Sequence, residues 1–331
     1  MESTSLMADL PVERELPSLA GATGWLNSGP LTVEDLRGKV VLVDFWTYTC
    51  INWLRTLGYV RAWAEKYADQ GVVVIGVHTP EFPFEADPDN VRGAVKDMAV
   101  EYPVALDPEY AVWLAFDNRY WPALYIADAQ GRIRHHQFGE GGYAECENVI
   151  QRLLREAGRS GVGDDLVSPA LDGFEAQADW ANLGSAETYL GYAQGERLSS
   201  PGGAARDEPR AYAVPDPLEL NRWALSGNWT IESRACVLNE AEGRIAYRFH
   251  GRDVHLILGP PAAGDSVPFS VLVDGEPPGA AHGLDVDEQG HGVVSQQRLY
   301  QLIRERGPTT DRTVEIAFGA PGVEAYCFTF G

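Results

Sequence analysis

The sequence predicts two domains of different class. The first is an α/β domain with a mixed sheet covered by helices on both faces. The second is an all-β domain built as an antiparallel sandwich. Three observations carry this prediction. Elements in the first half run in the order βαβ, helix, β-hairpin, helix. Composition changes over residues 158–172, which are rich in Gly, Ser and Asp and lack periodicity. Beyond residue 217 come short alternating segments separated by Gly- and Pro-rich turns, the pattern of a sandwich. A chain of 331 residues is long enough to bury a core in each domain.

Each element has its own signal. Residues 40–45 are a short, apolar, β-branched run and read as a buried strand. Leu54, Leu57, Val60, Ala64 and Tyr67 recur at helical spacing, and Gly71 closes that helix. Residues 72–77 read as a second buried strand. Residues 91–101 read as a helix capped by Asp89 or Asn90. Residues 103–106 are a short strand and residues 109–116 a short helix. Strands at 123–127 and 133–138 flank Asp128-Ala-Gln-Gly131, a hairpin turn signal. A last helix covers about 143–157. Residues 24–38 add an N-terminal hairpin and a short turn.

These signals divide the chain into an α/β domain over 1–158, a loose connecting segment over 159–217 and the sandwich over 218–331. In the sandwich, strands are expected at 229–238, 244–250, 254–258, 269–273, 313–318 and 325–330. Asp274-Gly275 is the clearest turn among them. There is no internal repeat.

Composition narrows the function. Hydrophobic residues make up 45% of the chain and aromatic residues 10%, which suits a globular protein. A net charge of -22 argues against nucleic-acid partners, which need a basic face. No run approaches the roughly 18 apolar residues of a membrane span. Met1-Glu-Ser-Thr-Ser-Leu-Met-Ala-Asp has no basic start followed by an apolar core, so no secretory signal is visible. The chain as it reads is therefore expected in the cytoplasm, and outside it if an upstream segment has been removed. The four cysteines (50, 146, 236, 327) form neither a disulfide framework nor a metal-ligand spacing. His135 and His136 are adjacent in a strand and so point to opposite faces, which disfavours a shared metal. No phosphate-binding glycine motif occurs. The expectation is a protein without metal or organic cofactor.

Cys50 is the residue on which chemistry centres. It stands in Lys39-Val-Val-Leu-Val-Asp-Phe-Trp46-Thr-Tyr-Thr-Cys50-Ile-Asn-Trp53-Leu-Arg55, where an apolar strand runs into a loop and the loop delivers a cysteine to the start of a helix. Unpaired N–H groups and the helix dipole at such a terminus favour the thiolate. The thiolate is the nucleophile toward disulfides and peroxides.

The first domain resembles the thioredoxin superfamily, within it the TlpA/AhpC-TSA type of redoxin. Asp44-Phe45-Trp46 followed by Cys50 matches the approach to the active site, and Trp121-Pro122 before Ala123-Leu-Tyr-Ile126 matches the family's cis-proline. Trp46-Thr-Tyr-Thr-Cys50-Ile-Asn, Gly139-Glu-Gly-Gly-Tyr143, Glu187-Thr-Tyr-Leu-Gly-Tyr192 and Phe328-Thr-Phe-Gly331 resemble the soluble C-terminal part of DipZ-type proteins. That resemblance covers nearly the whole chain. It implies a thioredoxin-like domain followed by a jelly-roll-like β-sandwich similar to carbohydrate-binding modules. The chain departs from the family at two places: Trp53 stands where the family's Cys-x-x-Cys has its second cysteine, and Gly58 stands where the family tends to have proline.

The resemblance assigns roles. Cys50 is the catalytic residue, and Asp44, Trp46, Thr47, Thr49, Trp53, Trp121 and Pro122 are its neighbours. Asp44 matches the buried acid that assists proton transfer at the second cysteine, a client absent here. A cis Pro122 leaves the preceding backbone able to pair with an extended substrate. Trp121, Trp53 and Trp46 are candidates for an aromatic rim, although aromatic residues are more often packed in cores. Trp53 cannot resolve a mixed disulfide, so an attack by Cys50 stops until an external thiol intervenes. Cys146 is a candidate distant resolving cysteine, against the plainer role of an isolated helix cysteine. Thr47-Tyr-Thr-Cys50 also fits the Thr-x-x-Cys of peroxiredoxins, with Arg55 and Arg119 as candidate activating arginines. In the second domain Trp223, Trp229 and Tyr300 are candidate glycan platforms, against the plainer role of core packing. Cys236 and Cys327 are expected as small buried residues, two free thiols in preference to the disulfide an oxidising compartment would allow.

Three readings follow. The first is a monothiol, thioredoxin-like thiol-disulfide oxidoreductase acting on a disulfide or peroxide and served by an external thiol reductant. The second is a weakened redoxin scaffold whose sandwich binds a glycan or a protein. The third is a thiol peroxidase.

Overall fold

The computed structural model describes residues 10–262 and 264–331. The chain forms two compact units, one ending at Glu175 and the other beginning at Ala176.

The first unit is built on a seven-stranded mixed sheet. Its strands are β1 (Arg14–Glu15), β2 (Gly24–Leu26), β3 (Val40–Trp46), β4 (Val72–His78), β5 (Val104–Leu106), β6 (Ala123–Ala127) and β7 (Arg132–Phe138). Their order in space is β1-β7-β6-β3-β4-β5-β2. β3, β4 and β5 run parallel, and β6 lies antiparallel to β3. Every side chain of β3 is buried, as a central strand covered on both faces requires. The helices are α1 (Ile51–Tyr67), α2 (Pro88–Asp97), α3 (Ala111–Ala115) and α4 (Tyr143–Glu156). One face of the sheet closes over Val41, Val43, Phe45, Ile75, Val77, Phe116 and Tyr125. Among the described residues no helix is long and apolar enough to cross a membrane.

Three details differ from the sequence reading. Residues 24–38 form no hairpin: Gly24–Leu26 pairs with β5 at the sheet edge, and the rest is turns. The helix expected at 91–101 runs from Pro88 to Asp97, and its cap is Asp87, which accepts from Asp89 N at 2.8 Å. Proline suits the first helical position because that N–H has no intrahelical partner. The helix expected at 109–116 covers only Ala111–Ala115, where Asp107, four residues upstream, accepts from Val112 N and Trp113 N.

The expected connecting segment divides between the units. Residues 159–175 belong to the first. Glu147 of α4 gathers Trp63 Nε1, Lys66 Nζ, Tyr67 OH and Val167 N, at 2.7–3.1 Å. Glu175 pairs with Arg61 at 2.5 Å. Gly58 matters to this packing, because a Cβ there would meet the Leu171 side chain and the Glu175 carboxylate. Residues 188–189 and 209–212 are strands of the second unit, β8 (Thr188–Tyr189) and β9 (Pro209–Tyr212).

The remaining strands of that unit are β10 (Arg222–Ile231), β11 (Cys236–Leu238), β12 (Arg244–His250), β13 (Asp253–Gly259), β14 (Val267–Val273), β15 (His291–Val294), β16 (Arg298–Arg304), β17 (Asp311–Phe318) and β18 (Glu324–Phe330). With β8 and β9 they make one curled, antiparallel, eleven-stranded sheet. β10 joins its two leaves: residues 222–226 pair with β12, residues 227–230 with β9, and residues 229–231 with β11. The change of partner falls at Gly227, where φ is 94° and a Cβ would lie 3.0 Å from Gly243 Cα. The expected strand at 229–238 is thus two strands of a hairpin. Between the leaves lies one apolar core.

That core contains all three residues considered as glycan platforms. Trp223 and Tyr300 are buried, as is Trp229. Trp223 Nε1 donates to Glu196 O at 2.7 Å, and Trp229 Nε1 to Ser226 O at 2.9 Å. Tyr300 OH donates to Gln296 O at 2.8 Å. Stacking on a sugar needs an exposed ring face, and these rings have none, so the platform assignment is corrected to core packing. Cys236 and Cys327 are buried as expected. Their strands set Cys236 opposite Ala325 and Cys327 opposite Ile257 rather than opposite each other.

Candidate functional site

β3 ends at Trp46, and the chain turns through Thr47, Tyr48 and Thr49 before α1 begins. Cys50 N donates to Thr47 O at 3.2 Å, and Leu54 N donates to Cys50 O at 3.0 Å. Cys50 is therefore the N-cap residue of α1, with extended φ and ψ of -74° and 110°. Thr47, Tyr48 and Thr49 are buried, whereas Cys50 is part-exposed. This is how the sequence frames its thiol: a buried strand and turn fix the backbone, and the helix start brings Cys50 to a part-exposed position.

The facing wall comes from the loop before β6. The Trp121–Pro122 peptide is cis. Cys50 Sγ donates to Trp121 O at 3.7 Å. Pro122 O accepts from Gly139 N at 2.9 Å, and Trp121 Nε1 donates to Thr79 O at 3.0 Å. Trp121 is half-buried and packs against Trp113 with ring centroids 4.3 Å apart.

Trp53 and Trp46 do not form a rim. Both are fully buried, with stacked rings 4.2 Å apart, and Trp53 Nε1 donates to Asp44 Oδ2 at 2.9 Å. The helical position three residues after Cys50 points back into the core, so only Trp121 of the three reaches solvent. Asp44 is fully buried, and burial pushes its carboxyl up to about 7 despite the opposing bond from Trp53. Its other oxygen, Oδ1, has no hydrogen-bond partner among the described residues.

The two arginines are committed elsewhere. Arg55 is buried and pairs with Glu140 at 3.1 Å, in the Gly139-Glu-Gly-Gly-Tyr143 loop. Tyr143, the first residue of α4, stacks on Tyr59 of α1 at 3.8 Å. Arg119 is exposed beside Asp117 at 3.4 Å. Cys146 is fully buried in α4, with Sγ 3.8 Å from His135 Nε2, and burial pushes its thiol up to about 12. A buried, protonated thiol is a poor attacking group, so the resolving assignment gives way to an isolated helix cysteine.

Two site residues escaped the sequence reading. Glu85 holds Thr49 from 36 positions away, and Glu140 holds Arg55. A carboxylate enclosed by apolar neighbours, as in Pro83-Phe-Glu85-Ala, was the only available signal for Glu85. Among the described residues no cluster of His, Cys, Asp and Glu is arranged to hold a metal ion.

A cysteine capping α1 opposite a cis-proline, above a buried acid on the central strand, defines the class: a thioredoxin-like redox fold. Two family models and two curated relatives agree. The Redoxin family model matches residues 12–150, and the model described as a thioredoxin like C-terminal domain matches residues 185–331. Protein DipZ of Mycobacterium bovis is 36% identical over 319 residues, 95% of this chain and 42% of that protein. Thiol-disulfide oxidoreductase YkuV of Bacillus subtilis is 32% identical over 148 residues, 44% of this chain and 99% of that protein. A solved thioredoxin-like protein in its oxidised form is 33% identical, with a TM-score of 0.40 over 43% of this chain and 96% of its own. The chain belongs to the thioredoxin-like redoxin family of thiol-disulfide oxidoreductases. It spans about two fifths of the length of the DipZ protein it matches.

Proposed function

We propose that this chain is a thiol-disulfide oxidoreductase that works through Cys50 alone. The observation that carries the reading is the placement of Cys50: a part-exposed residue at the N-terminus of α1, its Sγ in contact with the carbonyl of Trp121, while Trp53 is buried against Asp44.

The chemistry balances as two exchanges. The Cys50 thiolate attacks one sulfur of a substrate disulfide, the S–S bond breaks, and the other half leaves as a thiolate. The product is a mixed disulfide on Cys50. An external thiol, as its thiolate, then attacks the substrate-derived sulfur of that bond. Cys50 leaves as thiolate, and the substrate half departs joined to the external thiol. Each exchange transfers one S–S bond, so the external thiol supplies the reducing equivalents that a second active-site cysteine would supply elsewhere.

The peroxidase reading has less support. Peroxide activation uses an arginine facing the thiolate, and Arg55 is instead buried in a pair with Glu140. The glycan-binding reading lost its three candidate platforms to the core.

The test is direct. Reduced protein is mixed with a short disulfide-linked peptide and analysed by mass spectrometry. The expected product carries one peptide half on Cys50 and is released by glutathione. Glutathione-coupled turnover of bis(2-hydroxyethyl) disulfide is expected and should vanish in Cys50→Ser. Absence of the adduct in folded protein would overturn the proposal.

A further inference from the structure

The residue before Cys50 is held by a carboxylate far along the chain. Glu85 Oε1 accepts from Thr49 Oγ1 at 2.6 Å and from Thr49 N at 3.3 Å. Its second oxygen accepts from Glu81 N at 2.7 Å and from Phe82 N at 2.8 Å. The side chain is fully buried. Among the described residues no Lys or Arg pairs with it.

All four partners donate. That suits a carboxylate anion, whose oxygens only accept. A glutamine would turn its amide nitrogen toward N–H groups on one side or the other. Burial pushes the Glu85 carboxyl up, and bonds from the surrounding hydroxyls and amides oppose that rise. The titratable groups around it offer no cation. The Tyr48 phenol is pushed up by burial first, then by the charges of Glu85 and Asp87. His78 and Asp107 share a cavity of about 60 Å³ with Glu85. Burial drives His78 down to about 3, so it is neutral, and Asp107 caps α3. A buried charge without a counter-ion is costly unless hydrogen bonds satisfy it. Here they do, and half of them reach the turn that presents the thiol.

We propose that Glu85 is the positioning residue for Cys50: it pins Thr49 by amide and hydroxyl, fixes the turn at the start of α1, and, as the carboxylate its four donors favour, sets a negative charge on the turn that carries the cysteine. The assignment rests on the reading of Cys50 as nucleophile. The anion opposes the helix terminus, so it tempers thiolate formation while holding the thiol in line with its substrate.

Two readouts on the full chain test this: the pH midpoint of Cys50 alkylation by iodoacetamide, and the rate of attack on bis(2-hydroxyethyl) disulfide above that midpoint. Glu85→Gln removes the charge, so the midpoint should fall by about half a pH unit or more. With the turn released, the disulfide rate should fall about tenfold. Thr49→Val keeps the charge and loses one tether, so its midpoint should stay while its disulfide rate drops. Glu85→Asp should restore the wild-type midpoint, a rescue that a merely structural role would not produce. If Glu85→Gln does not fold, Thr49→Val and Glu85→Asp carry the test. Profiles and rates that superimpose on wild type in every folded variant would overturn the proposal. A wild type that alkylates but never attacks the disulfide would sink the functional reading, and the midpoints would still decide the role of Glu85.

Discussion

The indole of Trp53 donates to the buried carboxyl of Asp44 at 2.9 Å and lies stacked on Trp46 at 4.2 Å. The position that differs from the dithiol pattern is therefore neither empty nor a steric shield over Cys50. It is a packed, hydrogen-bonded part of the core, and the acid beneath the site answers to an N–H instead of a thiol.

Replacing that indole tests both halves of the relationship. Trp53→Cys restores Cys-x-x-Cys above Asp44, and insulin-disulfide reduction should rise well above wild type. It also empties a fully buried stack, so unfolding free energy should fall by about 3–5 kcal/mol in urea titrations. A folded variant with unchanged reductase activity would count against Cys50 as a competent nucleophile.

The Asp44 carboxyl gives a pH signature. Its folded value of about 7 lies above the ordinary carboxylate value. Between about pH 4 and 7 the folded protein binds the proton and the unfolded chain does not. Stability from this group is therefore full below about pH 4, falls as pH rises through 7, and is flat beyond. The loss is on the order of 4 kcal/mol. Urea unfolding of Asp44→Asn between pH 5 and 8 should show a growing advantage over wild type. Parallel curves for the two proteins would refute this.

The Arg55–Glu140 pair ties α1 to the loop before α4 in buried surroundings. Arg55→Ala removes the cation from a buried carboxylate and should cost about 3–5 kcal/mol, and Glu140→Ala should also destabilise the fold. The double variant should cost clearly less than the sum. A double-mutant cycle in urea is the measurement, and strict additivity would show that the two groups do not interact.

In the second unit, Trp223→Ala or Trp229→Ala should act on stability. Each removes a fully buried indole from the core, at about 3–5 kcal/mol. Circular dichroism during denaturation checks this. Retention of wild-type stability would mean that the rings do not carry the core.

The sequence by itself determined what local chemistry determines. The apolar run of β3, broken only by Asp44, reads as a buried central strand, and helical spacing after Cys50 reads as a helix starting there, so the thiol's place at a helix terminus followed. The antiparallel character of the second half followed from short alternating segments and turns. Tertiary structure decided which side chains face inward. Trp53, Trp223, Trp229 and Tyr300 have the composition of a binding surface, and only the neighbours brought by the fold bury them. It also decided long-range pairs: Glu85 to Thr49, Glu140 to Arg55, and residues 159–175 to α4. No periodicity marks such contacts, because they join positions whose separation along the chain carries no repeating signal, and hydrogen-bond demand is satisfied only once distant backbone and side chains meet.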